Sequence, residues 1–227
     1  MGVTGPVGHP ATPARRPRKR PVWVTGGLTI LSFVALLYVI EAINQLDNDR
    51  LDNYGIRPLQ ADGLWGILSA PLLHASWHHL VANTGPTLVL GFLVTLAGLS
   101  RFVFATAIIW LIGGFGTWLI GDAGNTCGGS TNIIGASGLI FGWLTFLLVF
   151  GWFTRTVWEI VVGLVVLFVY GGILWGAVPV HGCTGISWQG HLCGAIAGVL
   201  AAYWLSAPER KARQRQRRGA KPPSPLP

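Results

Sequence analysis

A serine and a histidine are the smallest set of side chains that can carry out nucleophilic acyl transfer, the imidazole taking the hydroxyl proton as the oxygen attacks. In this chain both stand in surroundings otherwise as apolar as lipid. Ser137 lies within Ile133-Ile134-Gly135-Ala136-Ser137-Gly138-Leu139-Ile140-Phe141-Gly142, and His191 within Gly190-His191-Leu192-Cys193-Gly194-Ala195-Ile196-Ala197-Gly198. An ionisable side chain inside a membrane span is costly and is read first as a functional group with a partner to be named. The pair points to a serine hydrolase whose chemistry takes place within the membrane.

Ser137 stands at the start of an apolar run, so its backbone N–H belongs to the first helical turn, whose donors lack intrahelical acceptors. That end of a helix suits a developing oxyanion. Gly135, Ala136 and Gly138 leave room for a substrate backbone. The alternative is a small-residue packing seam, and the Gly-x-Ser-x-Gly elbow of soluble hydrolases is not matched, because position 139 is leucine. His191 precedes Gly194 and Gly198, and Ser137 precedes Gly138 and Gly142. Two Gly-x-x-x-Gly seams that face one another would bring hydroxyl and imidazole to the same depth. The alternative for His191 is a histidine bonded to a neighbouring carbonyl.

A third group of polar residues heads an earlier apolar run: His74-Ala-Ser-Trp-His78-His79-Leu-Val-Ala-Asn83. His79 and Asn83 share a helix face at i, i+4, and both can donate hydrogen bonds without a fixed charge. With the Ser137 N–H they can form an oxyanion hole. The histidines also invite a zinc reading, but no His-Glu-x-x-His motif and no carboxylate accompanies them. The residues call for no metal and no cofactor. No aspartate or glutamate stands where it could orient His191: Asp122 lies in a loop, and Glu41 and Glu159 lie towards span ends with polar surroundings in reach. A two-residue site follows.

Positioning these groups requires membrane helices. Of 227 residues only 24 are charged, and in the 52 residues from Phe102 to Phe153 the sole charge is Asp122. A stretch of that composition is no soluble surface. Six runs approach the roughly 20 residues a span needs: Val22–Ile43, Trp77–Leu99, Phe102–Gly121, Ile133–Phe153, Val157–Trp175 and Trp188–Leu205. The expectation is an all-α polytopic bundle over residues 22–206, between disordered basic tails at 1–21 and 207–227. The first run is too long for a secretory signal and lacks a small-residue cleavage site.

The net charge of +8 is placed in the flanks rather than in an aromatic-interleaved patch, which argues against nucleic acid and for anionic headgroups. Six spans put both termini on one side. With that side cytoplasmic, all of the 16 basic residues except Arg50 and Arg57 face inward. Ser137 and His191 then fall near the outer ends of their spans. The first loop, about Asn44–Leu73, is long and fits an interfacial, partly helical element, the alternative being a flexible loop. Pro86 should kink the second span, freeing the carbonyl of Ala82. Cys127 and Cys183 both fall in outer loops and form either a disulfide or two free thiols.

These residues resemble the rhomboid family of intramembrane serine proteases. The likeness rests on His-x4-His-x3-Asn (His74, His79, Asn83) entering span two, Gly-x-Ser-Gly (Gly135, Ser137, Gly138) in span four and His-x2-Gly-x3-Gly (His191, Gly194, Gly198) in span six. It covers about Val22–Leu205 and implies a six-span rhomboid-like bundle. It also implies Ser137 as nucleophile, His191 as general base and acid, and an oxyanion hole of His79, Asn83 and the Ser137 N–H. Phe141 would pack its ring on His191, and His74 would order the first loop. The Trp-Arg pair common in that loop is missing, since Gly66 follows Trp65. The implied substrates are transmembrane proteins cut near the outer membrane face, admitted between spans two and five, with Gly176–Ser187 as a lid. The other readings are an inactive rhomboid-like binder of membrane proteins, which would normally lack the serine or histidine, and a transporter using His191 as a proton relay.

Overall fold

The computed structural model describes residues 1, 20–121, 132–179 and 187–219. Helix α1 (Val22–Leu46) leads through a first loop of short helical turns to α2 (Trp77–Leu96) and α3 (Leu99–Ile120). Beyond these come α4 (Ser137–Thr154), α5 (Val157–Tyr170, continued by a 3-10 segment Gly171–Ala177), α6 (Trp188–Leu205) and α7 (Ala207–Gly219). Helices α1 to α5, with the 3-10 segment included in α5, are each long and apolar enough to cross a bilayer. Helix α6 meets the same test together with Ala207–Arg217 of α7, which continues it across a 42° bend. The architecture is therefore the expected all-α, rhomboid-like membrane bundle.

Local chemistry sets the ends of these helices. Ser76 and Ser187 cap α2 and α6, their side chains accepting from the backbone N–H of His79 and Gly190 at 3.2 Å. Gly98, at φ +115°, makes the tight reversal from α2 to α3, a conformation L side chains rarely adopt. The fourth helix begins later than its hydropathy suggests. Ile133 to Gly135 are not helical, because Ile133 is paired in an antiparallel bridge with Ile56 of the first loop.

Helix α4 is the centre of the bundle. Every side chain from Leu139 to Leu147 is buried, and Trp143 and Phe146 pack with Ile30 of α1, Leu90 of α2, Ile109 of α3 and Ala197 of α6. Its closest neighbour is α6. A Cβ on Gly194 would overlap the Gly138 carbonyl, and one on Gly198 would overlap both the Gly142 carbonyl and the Thr145 hydroxyl. Thr145 Oγ1 donates across the seam to the Ala195 carbonyl at 2.7 Å. The two Gly-x-x-x-Gly runs do face one another. Gly142 also meets Ile109, within a π-helical turn (Ile109–Gly113) of α3 that wedges that helix against α4 and α6. Of the spanning helices α5 is the least packed, leaving Val165, Phe168 and Val169 exposed.

Two sequence expectations are corrected here. Residues 207–219 of the expected disordered tail form α7, which is tied to the bundle: Glu209 pairs with Arg101, and Arg213 donates to the carbonyls of Phe153 and Thr154 at the end of α4. Arg210 lies over the Tyr203 ring at 3.7 Å and donates to the Tyr203 carbonyl at 2.8 Å. Glu41 does not reach solvent at its span end; it is 1% exposed and neither carboxyl oxygen has a hydrogen-bond partner among the described residues. Glu159 accepts from the Thr154 hydroxyl.

The seam makes a graded prediction. Gly198→Ala should cost about 1–3 kcal/mol, read as a lower unfolding temperature in detergent. Gly138→Ala, whose Cβ would sit 3.6 Å from the nearest atom, the Gly190 carbonyl oxygen, should leave that temperature nearly unchanged.

Candidate active site

The site is built on backbone held by the first loop. Ile56 and Ile133 exchange two N–H···O bonds of 3.0 and 2.9 Å, the Ala70 carbonyl accepts from Gly135 N–H at 2.8 Å, and His74 Nε2 accepts from Ala136 N–H at 3.4 Å. Three consecutive anchors thus fix the chain immediately before Ser137. Gly135 has φ +124°, and a Cβ there would sit 2.8–2.9 Å from the His79 ring. Glycine is required by conformation and by space. The loop itself is tied by the Arg57–Asp62 pair and by Ser69 Oγ donating to the Tyr54 carbonyl. It is anchored to α3 by Trp110 Nε1 on the Ile67 carbonyl (2.7 Å) and Trp118 Nε1 on the Gln60 carbonyl (2.8 Å). These bonds hold the loop without a Trp-Arg pair.

Ser137 is the first residue of α4, so its N–H is one of the helix-start donors without an intrahelical acceptor. His191 stands in the first turn of α6, and its Nε2 lies 2.9 Å from Ser137 Oγ. Its Nδ1 lies 2.9 Å from the carbonyl oxygen of Gly176. A carbonyl can only accept, so Nδ1 carries the proton and the lone pair of the neutral ring is on Nε2, facing the serine hydroxyl. The Phe141 ring stacks on the imidazole, with centroids 4.2 Å apart and planes within 9°. Gly176 is pressed into this group: a Cβ there would lie 3.1 Å from both His191 Nδ1 and Phe141 Cζ.

His79 and Asn83 lie one turn apart on α2 and line, with Ser137 and His191, a cavity of about 700 Å³. Asn83 Nδ2 donates to the His79 carbonyl at 3.2 Å, which orients its amide. Ile67, Ile109 and Trp110 supply apolar wall, and the cavity reaches down α2 to Pro86 and across to Ile173 beyond α5. Sequence reasoning missed two participants. Gly176 acts through its backbone carbonyl, which no side-chain pattern announces. His78 also lines the cavity; it was visible beside His79 but had no spacing that assigned it.

His74 serves the fold rather than the cavity. It is fully buried, its ring meets the His79 ring edge-on at 5.1 Å, and its Nε2 is occupied by Ala136 N–H. Burial first, and then neighbouring His79, hold His74 down at about 4, against the opposing effect of the Leu72 carbonyl. Among the described residues no three His, Cys, Asp or Glu side chains are placed to hold a metal. Cys127 and Cys183 lie outside the described residues, as do residues 180–186 of the expected lid; Cys193 is buried with a free thiol.

A model of the rhomboid domain matches residues 61–208, from the first loop to the end of α6. The chain is a member of the rhomboid family. An uncharacterized protein of Mycobacterium tuberculosis is 70% identical over 220 residues, covering 96% of this chain and 91% of that protein. One of Mycobacterium leprae is 60% identical over 212 residues, with coverage of 93% and 84%. A protein of Acanthamoeba polyphaga mimivirus named as a rhomboid protein is 29% identical over 138 residues, with coverage of 60% and 72%. This rhomboid is accordingly a multi-pass membrane protein.

The position of His74 carries a pH dependence. A buried neutral imidazole leaves the unfolded state binding more protons below the ordinary histidine range, so stability falls as pH drops from about 6.5 towards about 4. Protonation would also place a second N–H against that of Ala136. Thermal unfolding of wild type should fall more steeply through this window than that of His74→Gln.

Proposed function

We propose that this rhomboid is an intramembrane serine endopeptidase that cleaves transmembrane segments of membrane proteins. The observation that carries the reading is the 2.9 Å separation of His191 Nε2 and Ser137 Oγ, with Nδ1 committed to the Gly176 carbonyl. The ring is thereby in the tautomer a general base requires. A backbone carbonyl takes the orienting role that an aspartate has in triads. The neutral acceptor stabilises the imidazolium less than a carboxylate would, and it places no second charge inside the bundle.

His191 takes the Ser137 proton as Oγ bonds to the scissile carbonyl carbon. The oxyanion forms among His79, Asn83 and the Ser137 N–H. Collapse breaks the C–N bond, and the departing amine receives the proton from His191 Nε2, leaving an acyl-enzyme. Water then gives a proton to His191 and attacks the ester carbon; as the C–O bond breaks, His191 Nε2 returns that proton to Ser137 Oγ and the acid product leaves. The Phe141 ring limits the imidazole to the plane in which both transfers are made.

Orientation follows from charge. Arg20, Arg101, Arg155 and the cations of α7 lie at the end of the bundle opposite Ser137, whereas the aspartates of the first loop lie at the Ser137 end. By the positive-inside rule both termini are cytoplasmic and the site opens to the extracytoplasmic side of the cell membrane. The cations at the inner end would meet anionic lipid headgroups. Substrates would be admitted between α2 and α5, where the cavity reaches Pro86 and Ile173 and the outer helix is least packed.

Two measurements test the reading. Ser137→Ala and His191→Ala should each lower cleavage of a single-span test substrate by at least about 10³-fold, with wild type but not Ser137→Ala labelled by a fluorophosphonate. Equal cleavage by all three proteins would end it. Gly176→Ala, which pushes the imidazole off its line, should lower kcat by about 10²-fold while substrate binding to the unlabelled protein persists.

A further inference from the structure

The proline inside α2 has a use that the dyad and the oxyanion hole leave open. Pro86 has no N–H, so the carbonyl of Ala82, one turn earlier, lacks the donor that every regular helical position supplies, and the ring pushes that carbonyl outward. Both residues line the cavity that holds Ser137 and His191. Around them the helix offers little side chain: Ala82 and Gly85 are exposed, and a Cβ on Gly85 would meet nothing within 4 Å. A second polypeptide backbone can therefore come close to the Ala82 carbonyl. Ile173 and Gly176 of the 3-10 segment line the same cavity, so Ala82 belongs to the wall beside the entry between α2 and α5 proposed above.

A substrate span poses the complementary problem. Its peptide bonds are protected by helical hydrogen bonding, and unwinding it leaves N–H groups that need new acceptors, most of all against the apolar parts of the cavity wall. We infer that the Ala82 carbonyl, released by Pro86, is a substrate-binding acceptor that takes a backbone N–H of the unwound substrate segment. This inference rests on the endopeptidase reading and deepens it: it assigns a main-chain subsite on α2 to the substrate. Recognition at this point is by main chain, and so independent of side-chain identity.

The test uses the full chain in detergent with a single-span substrate in which backbone amides near the scissile bond are replaced by esters, one at a time. Pro86→Ala and Pro86→Leu each restore the N–H that would occupy the Ala82 carbonyl. In wild type one ester position should raise KM about tenfold. In both variants that ester should cost nothing further, while the all-amide substrate already shows the tenfold higher KM. Fluorophosphonate labelling of Ser137 should match wild type in both, which a merely structural role for the proline would not predict. Comparing proteins on the same ester substrate cancels the ester's own effect on substrate helicity. If no ester position distinguishes wild type from the variants, the inference is wrong. If wild type fails to cleave, or Ser137→Ala cleaves equally, the endopeptidase reading itself has failed.

Discussion

Two helices in van der Waals contact through their backbones govern this structure. Where α4 meets α6, glycine stands against glycine carbonyl at two successive turns, and neither Gly194 nor Gly198 has space for a methyl group. In a bilayer apolar side chains gain nothing by leaving lipid for one another, so close approach and the Thr145–Ala195 hydrogen bond must hold the pair together. Ser137 begins one helix and His191 lies in the first turn of the other. Their 2.9 Å separation is a consequence of the seam, since a carbon added at Gly194 or Gly198 would move both helices.

The rest of the site depends on backbone rather than on side-chain charge. The first loop presents a bridge residue, a carbonyl and an imidazole to Ile133, Gly135 and Ala136 in turn, so the approach to Ser137 is clamped on three successive groups. The imidazole is clamped in turn by the Gly176 carbonyl and the Phe141 ring. A membrane interior penalises fixed charge, and every one of these contacts is made by neutral groups. The carbonyl that orients His191 belongs to the end of α5, the spanning helix with the smallest buried share. A displacement of this segment would therefore act directly on the histidine.

The opposite end of the bundle shows how composition can mislead. Residues 207–219 are rich in arginine, which alone describes a solvated tail. Tertiary contacts reverse that reading, because the last turn of α4 offers carbonyls with no intrahelical donor and Arg213 supplies two, while Glu209 meets Arg101. The partners lie on helices about 60 and 100 residues away in sequence, where no local pattern could reveal them. Glu41 misled in the other direction: its place near a helix end suggested polar surroundings in reach, but the folded bundle leaves it 1% exposed.

Local chemistry, readable from sequence alone, determined the helices and the candidate site. Spans follow from runs of apolar residues, the α4–α6 seam from paired Gly-x-x-x-Gly spacing, and the histidine–asparagine face of α2 from an i, i+4 interval. Each depends on residue type and on a periodicity set by one helix. Only tertiary structure decided what depends on backbone groups brought together from distant parts of the chain. Those are the tautomer of His191, set by the Gly176 carbonyl, the late start of α4, set by the Ile56 bridge, and the folding of the basic tail. A carbonyl is the same in every residue, so its role is written in position and never in the letter of the sequence.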